Sequence, residues 1–394
     1  MIDTSVQEGP TLRDRLRTHP ASIYYLMLGS TLFLLLLGVT MVWSASAIDS
    51  IRESGSSTGL VSKQALFAAL GLVAMLFAAK LPVSTLRAAA WPFMGVTLAL
   101  LVLVLVVGVS VFGQKNWLEL GGPFRLQPSE IAKLAFIVWA AGVLARKRRD
   151  VMDWQTLLVP VVPVGGVLMF LVVAEGDFGN AMIIGVIMIG MLFAFGAPLR
   201  LFGWAAVVAA GGVVVVSLMA EHRIRRLTAF LDQDADTLDG AWQVTQGTYA
   251  LGTGGWWGVG LGASREKWGS LPAAHTDFIL PVIGEELGLF GTLAVLGLFA
   301  VLVYALLRLA CVTSDLYVRL LGVGVGVWLM IQVITNVGAA LKMLPITGVV
   351  LPLVSYGGSS LIPLLVGIGL LLGAARGHSR RGRSAGSGQL AADG

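Results

Sequence analysis

Charged residues are scarce in this chain. Asp, Glu, Lys and Arg make up 12% of its 394 residues, whereas hydrophobic residues make up 56%. Soluble domains carry about 25% charged residues, and a soluble fold of this length could not bury so much apolar surface. The shortage of charge therefore excludes a soluble globular protein and indicates an integral membrane protein.

Cysteine and histidine are also scarce. The single cysteine, Cys311, excludes an intrachain disulfide. The four histidines are dispersed, which argues against a His/Cys metal cluster; they are His19, His222, His275 and His378. Glycine, by contrast, is abundant, with 50 residues, as is typical of membrane helices that pack closely.

Long apolar runs predict an all-α, polytopic integral membrane protein with about ten transmembrane helices. Each run approaches the ~20 residues that an α-helix needs to cross about 30 Å of hydrocarbon. The predicted spans cover residues 23–45, 63–80, 88–111, 129–145, 155–173, 179–196, 200–220, 287–309, 317–337 and 360–375.

Basic residues predict the orientation of these spans. Arg146, Lys147, Arg148 and Arg149 form the densest basic cluster, and basic clusters on short segments favour the cytoplasmic side. With an even number of spans, both chain ends then lie in the cytoplasm. The net charge of +5 is thereby explained by topology, and no nucleic-acid partner is expected.

This topology divides the chain into three parts. Residues 1–22 form a cytoplasmic segment, residues 23–376 the ten-helix membrane domain, and residues 377–394 a disordered cytoplasmic tail rich in Gly, Ser and Arg. Residues 221–286 form a large extracytoplasmic loop between spans 7 and 8, and a loop of this length indicates a function. Its Gly-rich stretch, residues 246–262, lacks the strand and the Lys-Ser/Thr ending of a nucleotide-binding loop.

Charged residues at membrane depth are costly and are functional candidates, and the first such segment is Gln127-Pro-Ser-Glu-Ile-Ala-Lys133. Pro128 is typical of a helix start, and Ser129 is a candidate cap. Glu130 and Lys133 lie on one helical face and are predicted to pair. Two interpretations stay open: an ion pair that only holds helices together, or a polar patch that holds a charged substrate.

The second segment, residues 271–288, carries three carboxylates beside an apolar helix. Glu285 and Glu286 are explained most simply as complements to the helix dipole. Asp277 lies before Pro281 and is predicted to precede the regular helix. Apolar neighbours raise the pKa of a carboxylate and suit it to general-base catalysis, whereas a helix N-terminus lowers that pKa. The sequence leaves this competition open.

The third segment, residues 344–360, interrupts a membrane helix with prolines, glycines and serines. Irregular backbone at this depth must be buried in protein or line a cavity. Ser359 and Ser360 are candidate caps for the last helix, and free N–H groups there would suit an anion such as a diphosphate. A purely structural re-entrant turn is the alternative.

Together these segments resemble the SEDS family, the membrane proteins of shape, elongation, division and sporulation typified by FtsW, RodA and SpoVE. The resemblance covers about residues 23–376 and rests on motifs that occur in order. They are Gln127-Pro-Ser-Glu-Ile-Ala-Lys133, His275-Thr-Asp-Phe-Ile279, Gly284-Glu-Glu-Leu-Gly288, Pro345-Ile-Thr-Gly-Val-Val-Leu-Pro and Ser355-Tyr-Gly-Gly-Ser-Ser360, with Gln332 and Asn336 as a polar pair. The last serine-rich motif and the Asp277 segment are more similar to the FtsW division branch than to RodA.

The resemblance implies a peptidoglycan glycosyltransferase that polymerises lipid II on the outer face of the bacterial cytoplasmic membrane. It implies that Asp277 is the catalytic general base, and that Lys133, Lys267 and Arg226 are candidates to neutralise the substrate diphosphate. The further candidate substrate-binding residues are Glu130, which would position Lys133, and Gln127, Ser129, His275, Glu286, Ser355 and Ser359.

Partners and cofactors also follow from the resemblance. It implies a cognate class B penicillin-binding transpeptidase, other divisome membrane proteins, and a location at the division septum. It leaves room for a divalent cation, Mg²⁺ or Mn²⁺, at the diphosphate, although the sequence shows no protein cage for one.

Two other functions use the same features. A lipid II flippase would also carry intramembrane charges and broken helices, but it needs a polar path through both leaflets. A non-catalytic divisome scaffold would use the acidic outer loop as a docking surface. The predicted intramembrane charges lie toward the outer ends of the spans, which favours the glycosyltransferase.

Overall fold

The computed structural model describes residues 20–111, 114–119, 121, 125–147, 159–203, 241–268, 271 and 274–390. Arg226 and most of the predicted span 200–220 lie outside the described residues. Residues 199–203 are helical and mark the beginning of that predicted span.

Helices dominate the described part of the chain. They are α1 (Pro20–Ser54), α2 (Gly59–Ala78), α3 (Val83–Val107), α4 (Pro128–Arg146), α5 (Val161–Ala174), α6 (Phe178–Phe195), α7 (Ala241–Gly254), α8 (Ile279–Val312), α9 (Leu316–Ala340) and α10 (Gly358–Leu390). Three short strands lie between α3 and α4: β1 (Val109–Val111), β2 (Gln114–Glu119) and β3 (Arg125–Leu126).

Eight of the described helices, all except α5 and α7, are long and apolar enough to cross a membrane. This confirms the prediction of an all-α, polytopic membrane protein. Helix α5 occupies the predicted fifth span but has 14 residues, which extend only about 21 Å at 1.5 Å per residue. Helices of the described part of the chain therefore match nine of the predicted spans, and residues 199–203 begin the remaining one.

The predicted third span, residues 88–111, is too long at its C-terminal end. Helix α3 ends at Val107 because Gly108 is extended, and the Val-Ser-Val segment that follows, with its two β-branched valines, forms β1. Strand β2 pairs antiparallel with both β1 and β3. The sheet ends directly before α4, so it fixes where the polar first turn of that helix begins.

The predicted eighth span, residues 287–309, begins too late. Helix α8 begins at Ile279 and breaks at Gly288, where φ is 68° and ψ is −168°. The charges of Glu285 and Glu286 suggest a segment outside the helix, but both side chains are buried inside it. Pro281 is tolerated because it lies in the first turn, where no intrahelical hydrogen bond is lost.

The backbone of the Gly-rich loop supplies hydrogen-bond partners for the residues at the break in α8. Loop residues 255–260 exchange hydrogen bonds with helix residues 285–290, so the groups freed by the break find partners. The N–H groups of Val259 and Gly260 donate to the carbonyls of Glu285 and Glu286, and those of Leu289 and Phe290 donate to the carbonyls of Gly255 and Trp256. A Cβ on Gly258 would lie 2.2 Å from the Glu286 carbonyl oxygen, so this contact requires glycine.

The last helix extends beyond its predicted end. The sequence places its end at residue 375 and a disordered tail at 377–394, whereas α10 is helical to Leu390. No proline follows Pro363, so every residue of this segment keeps the backbone N–H that a helix uses.

Helices α2 and α10 approach each other through glycines spaced four residues apart. A Cβ on Gly369 would lie 2.3 Å from the Met75 carbonyl oxygen, and one on Gly373 would lie 2.5 Å from the Ala79 carbonyl oxygen. Small residues at this spacing let membrane helices pack backbone to backbone.

Helix α1 packs equally closely against the irregular segment between α9 and α10. A Cβ on Gly38 would lie 2.5 Å from the carbonyl oxygen of Leu353. Leu353 itself has a φ of 65°, so the segment holds a conformation that L-residues rarely adopt. The third predicted segment is thus buried irregular backbone, held in place by α1.

A pair of substitutions in α1 tests this packing. Gly38→Ala should destabilise the fold by about 1–3 kcal/mol because its methyl group collides with backbone that cannot move aside. Gly29→Ala is the matched control, since a Cβ there meets nothing within 4 Å. Thermal unfolding in detergent measures both, and equal melting temperatures for the two variants would contradict the packing described.

Candidate functional site

The N-termini of α4 and α6 meet at a buried polar cluster. Asp177 is the N-cap of α6, and its Oδ1 accepts from the Asn180 backbone N–H at 3.0 Å. Its Oδ2 accepts from Gln127 Nε2 and Asn180 Nδ2, both at 2.8 Å, and from the Ser129 hydroxyl at 3.3 Å. The prediction that Ser129 caps α4 is wrong, because Gln127 holds the N-cap position and the Ser129 hydroxyl is drawn to the Asp177 carboxylate.

Lys133 extends this cluster into the membrane domain. Its Nζ donates to Glu130 Oε1 at 2.8 Å and to Asn180 Oδ1 at 2.9 Å, and it lies 5.2 Å from the centroid of the Trp328 ring. The predicted Glu130–Lys133 pair is confirmed, and both side chains are buried. Glu130 Oε2 is buried, and no described residue forms a hydrogen bond with it. Glu130 Oε2 can therefore accept a further hydrogen bond next to the Lys133 ammonium group.

Asp277 lies just before α8, whose N-cap position is held by Phe278. The prediction that Asp277 precedes the regular helix is confirmed. Its side chain lines a small cleft together with Thr335, Asn336, Thr347 and neighbouring backbone. Burial and the nearby Asp177 carboxylate raise the pKa of Asp277 to about 6. Of the two opposing effects that the sequence left open, burial therefore prevails.

The backbone on either side of Asp277 is held by hydrogen bonds from α9 and from the irregular segment. The Asp277 carbonyl accepts from Asn336 Nδ2 at 2.9 Å. The Thr276 carbonyl accepts from the Ser355 hydroxyl at 2.6 Å, and the His275 carbonyl from the Tyr356 backbone N–H at 2.9 Å. Three successive carbonyls are thus fixed, and the Asp277 carboxylate is presented by a turn whose backbone is held at three points.

Ser355 is itself held by further bonds. Its hydroxyl oxygen accepts from the Leu351 N–H at 2.9 Å, and its carbonyl accepts from Gln64 Nε2 at 3.2 Å. The His275 ring packs edge-on against Tyr356, with centroids 5.7 Å apart. Ser355 and His275 therefore support the Asp277 segment.

The serines at the start of α10 do not cap it as predicted. The helix begins at Gly358, so Ser359 and Ser360 lie inside its first turn. The Ser359 hydroxyl donates to the Arg125 carbonyl at 2.6 Å, and the Ser360 hydroxyl donates to the Gly357 carbonyl at 3.0 Å. Ser359 thereby joins α10 to strand β3.

Lys267 and Glu286 belong to a second cluster. Lys267 Nζ donates to Glu286 Oε1 at 2.9 Å, to the Gly262 carbonyl at 2.7 Å and to the Ser44 hydroxyl oxygen at 3.1 Å. The Ser44 hydroxyl in turn donates to Glu286. All three ammonium hydrogens are therefore used, and the buried pair ties the loop before α8 to helix α1.

Glu285 secures the same loop from the opposite side. It accepts from the Ser264 hydroxyl at 2.5 Å and from the Arg265 backbone N–H at 2.8 Å. Glu285 and Glu286 lie well after the start of α8, so they bind loop groups and do not complement the dipole at that start.

Glu175, which the sequence did not single out, lies between α5 and α6. Both of its carboxylate oxygens are buried without a hydrogen-bond partner in the part of the chain that the structure describes. Burial and the nearby Asp177 raise the pKa of Glu175 to about 8. Glu175 is therefore mostly protonated at neutral pH.

Asp177 and Asn180 were not among the predicted site residues, although a signal for them exists. An Asp followed three residues later by a polar residue at the start of an apolar run is typical of a helix N-terminus. The sequence gives no sign that this N-terminus meets that of α4. Because Asp177 influences Asp277, Asp177 connects the Lys133 cluster to the cleft.

The described residues show no protein cage for the predicted divalent cation. Among them, no group of three or more His, Cys, Asp or Glu side chains is arranged to hold a metal ion. The cation stays a prediction, and no step is assigned to it.

Comparison with known proteins gives this arrangement a family. Residues 25–380 match the sequence profile of the FtsW/RodA/SpoVE family, described as cell cycle protein. A probable peptidoglycan glycosyltransferase FtsW of Mycobacterium tuberculosis is 38% identical over 91% of this chain and 68% of the relative. One of Aeromonas salmonicida is 38% identical over 91% of both chains. Stage V sporulation protein E of Bacillus subtilis is 36% identical over 88% of this chain and 95% of the relative.

Solved structures share the fold. A chain from the structure described as "Structural coordination of polymerization and crosslinking by a peptidoglycan synthase complex" has a TM-score of 0.73 and 29% identity, and covers 89% of this chain and 96% of its own. The rod shape determining protein RodA of Thermus thermophilus has a TM-score of 0.67 and 29% identity over the same shares. The chain therefore belongs to the FtsW/RodA/SpoVE family of cell cycle proteins.

Proposed function

We propose that this chain is a peptidoglycan glycosyltransferase that polymerises lipid II, with Asp277 as its general base. The observation that carries the proposal is a carboxylate with a raised pKa, held rigidly in a cleft just before a membrane helix. Relatives named peptidoglycan glycosyltransferase that match nine-tenths of the chain support the same activity.

In the proposed reaction, the sugar 4-hydroxyl of one lipid II attacks the anomeric carbon of a growing chain. The new glycosidic C–O bond forms as the bond from that carbon to undecaprenyl diphosphate breaks. Asp277 accepts the hydroxyl proton, and the diphosphate leaves with the electron pair of the broken bond. Since the 275–277 backbone is fixed, the carboxylate needs little reorganisation when the hydroxyl arrives.

The leaving diphosphate needs positive charge or N–H groups. Lys133 is the candidate best supported by geometry, because it lies beside the N-termini of α4 and α6. Among the described residues, its partners are Glu130, Asn180 and the Trp328 ring. Lys267 is less suited, because all of its donors already hold the loop. Arg226 stays a prediction.

The location and partners are proposed from the family. Both termini would lie in the cytoplasm, and the Asp277 cleft would open at the outer face of the bacterial cytoplasmic membrane, at the division septum. The proposed partner is a class B penicillin-binding transpeptidase, together with other divisome membrane proteins. A relative in structure comes from a complex described as coordinating polymerization and crosslinking, which supports such a partner.

The alternatives account for less of the geometry. A flippase requires polar groups along both leaflets, whereas the buried charged residues of the described chain gather at one end of the helices. These residues are Glu130, Lys133, Glu175, Asp177, Lys267, Glu285 and Glu286. A scaffold gives no reason to hold a carboxylate of raised pKa in a cleft.

The first test removes the proposed base. Asp277→Asn should lower the lipid II polymerisation rate by about 10²–10⁴-fold, because the amide cannot accept the hydroxyl proton. The rate is measured on purified protein with its transpeptidase partner, with glycan products resolved on a gel. Glu119→Gln is the control, since Glu119 pairs with Arg125 at an exposed site. Near-normal polymerisation by a folded Asp277→Asn variant would overturn the assignment.

The second test uses pH. A general base works only when ionised, so kcat/KM should fall as the pH drops through about 6, the raised pKa of Asp277. Asp177→Asn should move this acidic limb to lower pH, because it removes a like charge that raises the Asp277 pKa. A limb near pH 4, or one that Asp177→Asn does not move, would contradict the electrostatics described.

The third test separates the two interpretations of the Glu130–Lys133 pair. Lys133→Met alone should destabilise the fold by about 3–5 kcal/mol, because Glu130 is left buried without its partner. Glu130→Gln combined with Lys133→Met removes both charges and should recover most of that stability. Thermal unfolding and polymerisation are measured on all variants.

If Lys133 holds the diphosphate, the double variant should be stable but inactive. A double variant that is both stable and active would show that the pair only holds helices together.

A further inference from the structure

The side-chain amide of Asn336 on α9 uses its nitrogen in hydrogen bonds, whereas its oxygen has no partner among the described residues. Its Nδ2 donates to the carbonyls of Asp277 and Val349, each at 2.9 Å. Both partners are acceptors only, so they fix the orientation of the amide. Its Oδ1 is buried and has no hydrogen-bond partner among the residues that the structure describes. An orphaned buried acceptor is costly in a folded protein.

The position of this free acceptor points to a ligand. Asn336 lines the same cleft as Asp277, and Thr335 and Thr347 line it as well. The Thr335 hydroxyl is already used, since it donates to the Ile331 carbonyl at 2.8 Å. Asn336 Oδ1 is therefore an unpartnered acceptor on a side chain that lines the cleft next to the base, within the part of the chain that the structure describes.

The chemistry of the missing partner is constrained. An amide oxygen accepts hydrogen bonds and carries no charge, so it does not suit a diphosphate or a carboxylate. It suits a hydroxyl or an amide N–H. The sugar that presents its 4-hydroxyl to Asp277 carries both kinds of donor beside that hydroxyl.

We infer that Asn336 Oδ1 forms an acceptor-sugar subsite, binding a hydroxyl or acetamido N–H of the sugar whose 4-hydroxyl is deprotonated at Asp277. This inference rests on the proposed function and adds a residue that selects and orients one of the two substrates. Asn336 thus contacts both the base and the nucleophile. Its Nδ2 positions the Asp277 backbone, and its Oδ1 positions the sugar hydroxyl that attacks.

The subsite makes a prediction about substrate analogues. Asn336→Ala should lower kcat/KM for lipid II by about 10–100-fold, because a site built around a polar contact discriminates strongly when that contact is lost. Analogues of the acceptor are then compared, each lacking one donor of that sugar: the 3-hydroxyl, the 6-hydroxyl or the acetamido N–H. One analogue should react poorly with the wild type and suffer a much smaller further loss in Asn336→Ala.

Ser355→Ala is the matched control. It removes another hydrogen bond that holds the Asp277 segment, the one to the Thr276 carbonyl, but contributes no free acceptor to the cleft. It should slow all analogues by the same factor. This separates an effect on the position of Asp277 from an effect on the sugar.

Two outcomes would overturn the inference. If Asn336→Ala and Ser355→Ala slow every analogue equally, Asn336 only positions Asp277 and a water molecule satisfies its Oδ1. If Asn336→Ala leaves kcat/KM unchanged, the subsite does not exist. Asp277→Asn in the same assay tests the proposed function separately, because loss of the general base should stop polymerisation whether or not the subsite exists.

Discussion

A buried charge must keep its partner, and the site depends on this constraint at Lys133. The ammonium group is removed from water, so Glu130 and Asn180 must remain within hydrogen-bond distance of it. Asn180 in turn binds Asp177, which caps α6 and accepts from Gln127 at the start of α4. The Lys133–Asn180 and Gln127–Asp177 hydrogen bonds thereby fix the N-termini of α4 and α6 relative to each other.

The same constraint sets the electrostatics of the cleft. Asp177 stays in place because Asn180, Gln127 and Ser129 donate to it. Its charge then adds to burial in raising the pKa of Asp277. The N-cap of α6 thus helps to raise the pKa of a proposed base that lies just before α8. This effect on the pKa depends on the hydrogen bonds that hold Asp177 in place.

Much of the fold could be predicted from sequence because hydrophobic length is a strong signal in membranes. The Glu130–Lys133 pair and the position of Asp277 were also predictable, since i,i+3 spacing and a nearby proline act locally. The contacts of Lys267 were not predictable, because its partners come from α1 and from the interior of α8. The charges of Glu285 and Glu286 led to a predicted start of α8 that is too late. The sequence does not reveal that groups of the loop bind these buried carboxylates.

The broken helix α8 shares its backbone hydrogen bonds with the Gly-rich loop, so the two cannot move independently. A pull on residues 255–260 acts directly on the turn at Gly288 and, through the first segment of α8, on Asp277. The loop is therefore mechanically part of the helix. A protein that binds this loop would act on Asp277 through the first segment of α8, about two and a half helical turns long, with no need to contact the cleft.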